Sequence, residues 1–161
     1  MRSIRLVALF LVAFGFAGAA VSQTDDFTVT AEVIDACSMT AGDLDFGNYT
    51  SISGSNVDAT STVDVTCTNG TAYTVVLNAG STSGGSLSAR LMTDTTNTLQ
   101  YNLYTTSART TIWGDGSGGT DSVTGTGTGL LQSLTVYGRV PASQNVPVGS
   151  YSDLVTAEIS F

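Results

Sequence analysis

Short runs of alternating apolar and polar residues, cut at close intervals by turn-forming residues, recur from Phe27 to the last residue. Nowhere do apolar residues return every third or fourth position between caps, as a helix requires. A period of two belongs to a strand with one buried face. Several such strands with frequent turns predict an all-β chain, either a sandwich or a barrel. The first run sets Phe27, Val29, Ala31 and Val33 on one face, and Thr28, Thr30 and Glu32 on the other. A strand at a chain terminus pairs either within its own domain or with the open edge of another molecule.

The residues ahead of this run have a different character. Arg2 and Arg5 precede an unbroken apolar and small-residue stretch over residues 6–20, and Ala17, Ala19, Ala20 and Ser22 offer small-residue exits. This predicts a secretory signal peptide over residues 1–22, cut somewhere between 19 and 23. The stretch is shorter than the roughly 20 residues of a membrane span, and no second one follows. The expected mature chain, residues 23–161, is one exported domain with no membrane span.

Charge narrows the function. All thirteen acidic residues lie at or beyond Asp25, where Arg90, Arg109 and Arg139 are the only basic residues. The formal charge of −8 becomes more negative once the leader is removed. Such a chain has no footprint for a phosphate backbone, so nucleic acid is excluded as a partner. It contains no Lys and no His, so the usual bases that activate Ser, Thr or Cys are missing. Asp43 and Asp45 could share a strand face for acid–base work, but a polar strand edge explains them equally well. The glycine-rich stretch over residues 114–129 lacks the Lys of a phosphate-cradling loop. Asp115 and Asp121 do not have the spacing of a calcium loop. These readings predict no enzyme, no metal and no cofactor.

Cys37 and Cys67 are the only cysteines. In an exported chain they predict one disulfide, the alternative being two separate buried thiols. Their spacing is too wide for a redox pair, and a metal site would lack further soft or imidazole ligands.

Val63, Val65 and Cys67 alternate up to Asn69-Gly70, and the strand-like residues 73–78 follow. This spacing predicts a β-hairpin turning at Asn69-Gly70. Further strands are expected over residues 91–93, 99–104 and 134–140, with one around Val123. The last run places Val155, Ala157, Ile159 and Phe161 on one face. Tyr101, Tyr104, Trp113 and Tyr137 are read as core or sheet surface, with a sugar-binding face as the alternative.

Several motifs occur in a recognisable order: A-C-S-M at Cys37, V-T-C-T-N-G at Cys67, Y-N-L-Y from Tyr101 and A-R-T-T-I-W-G-D-G from Ala108. L-T-V-Y-G-R-V-P from Leu134 and V-P-V-G-S-Y-S-D from Val146 complete the set. Together the chain resembles the spore coat protein U domain family, which includes subunits of archaic chaperone–usher pili. The resemblance spans essentially the whole mature chain. It implies an immunoglobulin-like β-sandwich that is incomplete, lacks its last strand, and is completed by a donated strand. In such subunits a periplasmic chaperone lends that strand. The N-terminal segment of the next subunit then replaces it, by donor-strand exchange at an outer-membrane usher.

Carried over residue by residue, the donor segment is about residues 24–33, with Phe27, Val29, Ala31 and Val33 entering a neighbour's groove. Val155, Ala157, Ile159 and Phe161 would border the groove and face the chaperone. The residues alone favour pairing of the first strand within its own domain; the resemblance reverses that. The expected function is a structural subunit of a secreted surface fibre or coat, exported through the periplasm to the cell surface. Its expected partners are copies of itself or related subunits, the chaperone and the usher. The alternative is a secreted monomeric β-sandwich binding module, such as a carbohydrate-binding adhesin. A tip adhesin would be expected to carry an extra domain and no donor segment.

Overall fold

The computed structural model describes residues 18–52 and 54–161. The charged part of the expected signal peptide and most of its apolar stretch fall on residues 1–17, outside that range. The chain divides into two units, the second running from Val33 to Phe161. In the first unit, the described residues 18–32 form no strand and are exposed.

β-Branched and aromatic residues at alternate positions suit a half-buried pleated surface, and they set the inward faces of the second unit. Eight strands form: β1 (Cys37–Ala41), β2 (Val57–Cys67), β3 (Ala72–Leu77), β4 (Arg90–Thr93), β5 (Thr98–Tyr104), β6 (Val123–Thr126), β7 (Gln132–Val140) and β8 (Ala157–Ser160). There is no helix among the described residues. One sheet has the order β1-β2-β7-β5-β4 and the other the order β6-β3-β8. Each pairing between neighbouring strands is antiparallel. The longest register joins β2 to β7, from Val57 opposite Val140 to Val65 opposite Gln132.

The inward residues of the two sheets meet in one core. Val63, Val65 and Cys67 come from β2, Tyr73, Val75 and Leu77 from β3, and Leu99, Tyr101 and Leu103 from β5. Trp113 is completely buried among them. Its backbone N–H donates to Leu103 O on one sheet (2.9 Å), and its indole N–H donates to Val75 O on the other (3.0 Å). Arg90, also fully buried, spreads its guanidinium over carbonyls and an amide. It donates to Asn78 O (2.9 Å), Asn102 Oδ1 (2.7 Å) and Trp113 O (2.8 Å). Burial lowers the pKa of this group from the ordinary arginine value.

The all-β sandwich expected from the sequence is the fold observed. The expected hairpin is not. β2 and β3 lie in different sheets, so Asn69-Gly70 forms a turn without a ladder behind it. Thr71 N donates to Thr68 O across the turn (3.0 Å), but Thr68 N donates to Ala36 O and Gly70 N to Gly127 O (both 2.9 Å). The two strands face each other across the core instead of lying side by side.

The expected disulfide does form: Cys37 and Cys67 are bonded and lie opposite each other in the β1–β2 register. A loop closed over 30 residues stabilises the fold by roughly 3–4 kcal/mol on the chain-entropy model.

Candidate functional site

Residues 41–51 and 146–157 flank a groove of about 740 Å³ that opens between the sheets. Its floor is apolar: Val63, Leu103, Val136 and Val140, from β2, β5 and β7, line it. Leu44 and Phe46 form one wall. Phe46 packs edge-on against Tyr101 with ring centroids 6.0 Å apart. This wall sits close over Gly138, where a Cβ would lie 2.8 Å from Phe46 Cζ and 2.9 Å from Leu44 Cδ1. A side chain at position 138 would therefore push the wall outward.

The opposite wall carries Val155 and Ala157. Here β8 pairs with β3, from Thr74 opposite Ser160 to Leu77 opposite Ala157. Its other edge has no strand among the described residues. That edge presents backbone donors and acceptors, and the groove beside it presents apolar surface. An extended segment with alternate apolar side chains fits both demands at once.

Asp153 fixes the chain just before β8. Its Oδ1 accepts from Ser81 N, Ser81 Oγ, Thr82 N and Thr82 Oγ1 at 2.9–3.2 Å, and its Oδ2 accepts from the Tyr101 hydroxyl at 2.7 Å. Burial acts to raise the Asp153 pKa, but the hydrogen bonds from Tyr101, Thr82 and Ser81 outweigh it and hold the carboxyl below its usual range. Burial, and then the bond to Asp153, push the Tyr101 phenol well above its usual value. Gly80 also belongs to this arrangement. Its φ is +88°, and a Cβ there would collide with the Asp153 carboxylate.

The sequence candidates are distributed unevenly around this groove. Val155 and Ala157 line it, and Ile159 continues the half-buried face opposite Val75. Phe161 lies beyond the end of β8 and is 58% exposed. Phe27, Val29 and Val33 are 87%, 80% and 83% exposed, and Ala31 is exposed as well. None of these four lies in a strand, although their alternation suits one, because an alternating segment becomes a strand only beside an edge that pairs with it.

Asp43 and Asp45 lie in a loop rather than on a strand face, and Asp45 accepts from Gly47 N. Asp115 likewise closes a local turn by accepting from Ser117 N. Tyr101 and Trp113 are buried in the core, which removes two of the four aromatics that a sugar platform would have used. All three arginines of the second unit are engaged. Arg139 forks onto Asp58 (2.7 and 2.8 Å), Arg109 reaches the same carboxylate (3.3 Å) and sits over the Tyr137 ring, and Arg90 is buried.

The Spore Coat Protein U domain matches residues 23–158. The chain belongs to the Spore Coat Protein U domain family. A curated relative, Protein U of Myxococcus xanthus, is 37% identical over 169 residues, covering 96% of this chain and 93% of that protein. The fold is also similar to a chain in the crystal structure of the CsuC-CsuE chaperone–tip adhesion subunit pre-assembly complex, from archaic chaperone-usher Csu pili of Acinetobacter baumannii. There the TM-score is 0.60 at 24% identity, over 80% of this chain and 40% of the other. The present chain thus spans less than half of that chain, and at this identity the likeness is one of fold.

Within this family architecture, the groove residues that sequence reasoning did not assign to a groove are Leu44, Phe46, Tyr101 and Asp153. Leu44 and Phe46 lie in none of the motifs, Tyr101 is read as core or sheet surface, and Asp153 only ends a motif. Nothing local in the sequence assigns them to one groove, because their partners are remote.

Proposed function

We propose that this protein is a structural subunit of a surface fibre or coat, exported through the periplasm and polymerised by strand donation between copies. The observation that carries the reading is the pairing of two incomplete features in one chain. Among the described residues, β8 has an unpaired edge beside a groove with an apolar floor, and residues 27–33 form an exposed alternating segment without a strand partner. Phe27, Val29, Ala31 and Val33 of one copy would fill the groove of the next, and their backbone would pair with β8. Burying Phe27, Val29 and Val33 at roughly 1.5–3 kcal/mol each gives about 5–9 kcal/mol before entropic costs. Membership of the Spore Coat Protein U domain family and the fold likeness to a chaperone–subunit complex support a periplasmic chaperone as the interim occupant, and an outer-membrane usher as the place of exchange.

The test compares unheated and heated samples on a denaturing gel, for the mature chain and for one lacking residues up to Val33. Each is co-expressed with a matching chaperone and usher. A heat-sensitive ladder that the truncation abolishes is the expected outcome. Monomer alone from the full mature chain, with chaperone and usher working, would overturn the proposal.

A further inference from the structure

We infer that residues 34–36 act as a clasp that keeps the segment of residues 27–33 out of its own groove and reserves it for a second copy of the chain. This inference rests on the strand-donation reading. Among the described strands, β1 is an edge strand that pairs only with β2. A segment directly ahead of an edge strand has an obvious alternative to donation: it can fold back as a hairpin and compete for the adjacent groove. A loop of three residues is long enough for that reversal. A strand tethered so closely acts at an effective concentration in the millimolar range, far above that of any partner. Donation between copies therefore needs something that blocks the reversal.

The residues that would have to turn are held extended. Thr68 N donates to Ala36 O at 2.9 Å, which carries the β1–β2 pairing one position beyond Cys37 and Cys67. Thr68 Oγ1 lies 3.3 Å from Ile34 O and 3.4 Å from Ala36 O. Thr71 Oγ1 donates to Asp35 Oδ1 at 2.7 Å, and Thr71 is itself buried, so Asp35 is tied to a fixed post. The disulfide anchors the next residue, Cys37, to β2. Asp35, Thr68 and Thr71 are positioning residues: none lines the groove, and each holds the base of the segment.

The experiment uses a fluorescent peptide of residues 24–33. It is added in excess while the mature chain refolds at nanomolar concentration, free peptide is removed by gel filtration, and binding is read as fluorescence that elutes with the protein. The proteins are the wild type, the triple variant Asp35→Ala, Thr68→Val, Thr71→Val, and each of these lacking residues up to Val33. The wild type should bind the peptide, and the triple variant should bind it at least tenfold more weakly, because its own segment occupies the groove. The shortened triple variant should bind like the wild type.

Equal binding by the wild type and the triple variant would overturn the clasp and leave strand donation standing. Weak binding by both forms of the triple variant would overturn it too, since the loss would not come from self-occupancy. A wild type that binds only after shortening would show the groove already filled by its own segment, again against the clasp. Failure of both wild-type forms to bind would defeat strand donation itself, and the clasp with it.

Discussion

The Tyr101 hydroxyl donates to Asp153 across 2.7 Å, and so joins the middle of β5 to the segment that leads into β8. The same carboxylate gathers four donors from Ser81 and Thr82. One side chain thereby sets the path of the chain along the groove and closes the neighbouring loop.

Asp153→Asn is expected to cost about 1–3 kcal/mol, because one oxygen that accepts charge-assisted bonds is replaced by a donor. Thermal unfolding at neutral pH should show a drop of several degrees. The folded-state pKa of Asp153 is depressed, so its contribution is present above the unfolded value of about 3.9 and disappears as pH falls through the lower folded value. As pH falls below about 4 the gap between the wild type and the variant should begin to narrow, closing only below the depressed folded value, and a gap that did not narrow would contradict this assignment.

Replacing Arg90 should be more damaging. Arg90→Met leaves the carbonyls of Asn78 and Trp113 without this donor and strips Asn102 Oδ1 of one of its two donors, a loss of about 3 kcal/mol. Arg90→Lys keeps the charge but cannot fork onto acceptors that lie in different directions. Chemical denaturation should rank the wild type above both variants, and an Arg90→Lys protein as stable as the wild type would show that the charge alone suffices.

The strands were legible in the sequence to the degree that their partners did not matter. The alternation in residues 73–78, 99–104 and 134–140 marks β3, β5 and β7, because inward residues repeat at every second position whatever lies beside them. The same independence explains the failed hairpin. Val63, Val65 and Cys67 would alternate identically whether β3 paired with β2 or faced it across the core, and Asn69-Gly70 makes a tight turn in both cases. Arg90 gave no local sign of burial, since its acceptors come from Leu77, Asn78, Asn102 and Trp113. The groove was legible only through the resemblance. Its walls are assembled from segments about a hundred residues apart.

Gly138→Val should force Leu44 and Phe46 away from the sheet, since even a Cβ comes within 3 Å of both. An overpacked site of this kind costs about 1–3 kcal/mol. Hydrogen exchange should quicken over residues 44–49 while the β2–β7 ladder remains protected, and unchanged exchange there would argue against the wall resting on Gly138.

Removing the disulfide with paired Cys37→Ser and Cys67→Ser changes is expected to lower stability by roughly 3–4 kcal/mol. Reductant should bring the wild type to the level of the variant in denaturant titrations and leave the variant unaffected.

The position of that bridge also decides where mechanical load goes. Tension applied through the residues ahead of Cys37 reaches β1 at its first residue, where the sulfur link passes it to Cys67. Cys67 ends the eleven-residue β2, which lies inside the sheet between β1 and β7. A short edge strand pulled from its end would otherwise unzip one backbone pair at a time. With the bridge in place, the same pull must drag an interior strand past its neighbours, so many bonds resist together and the edge strand is merely carried along.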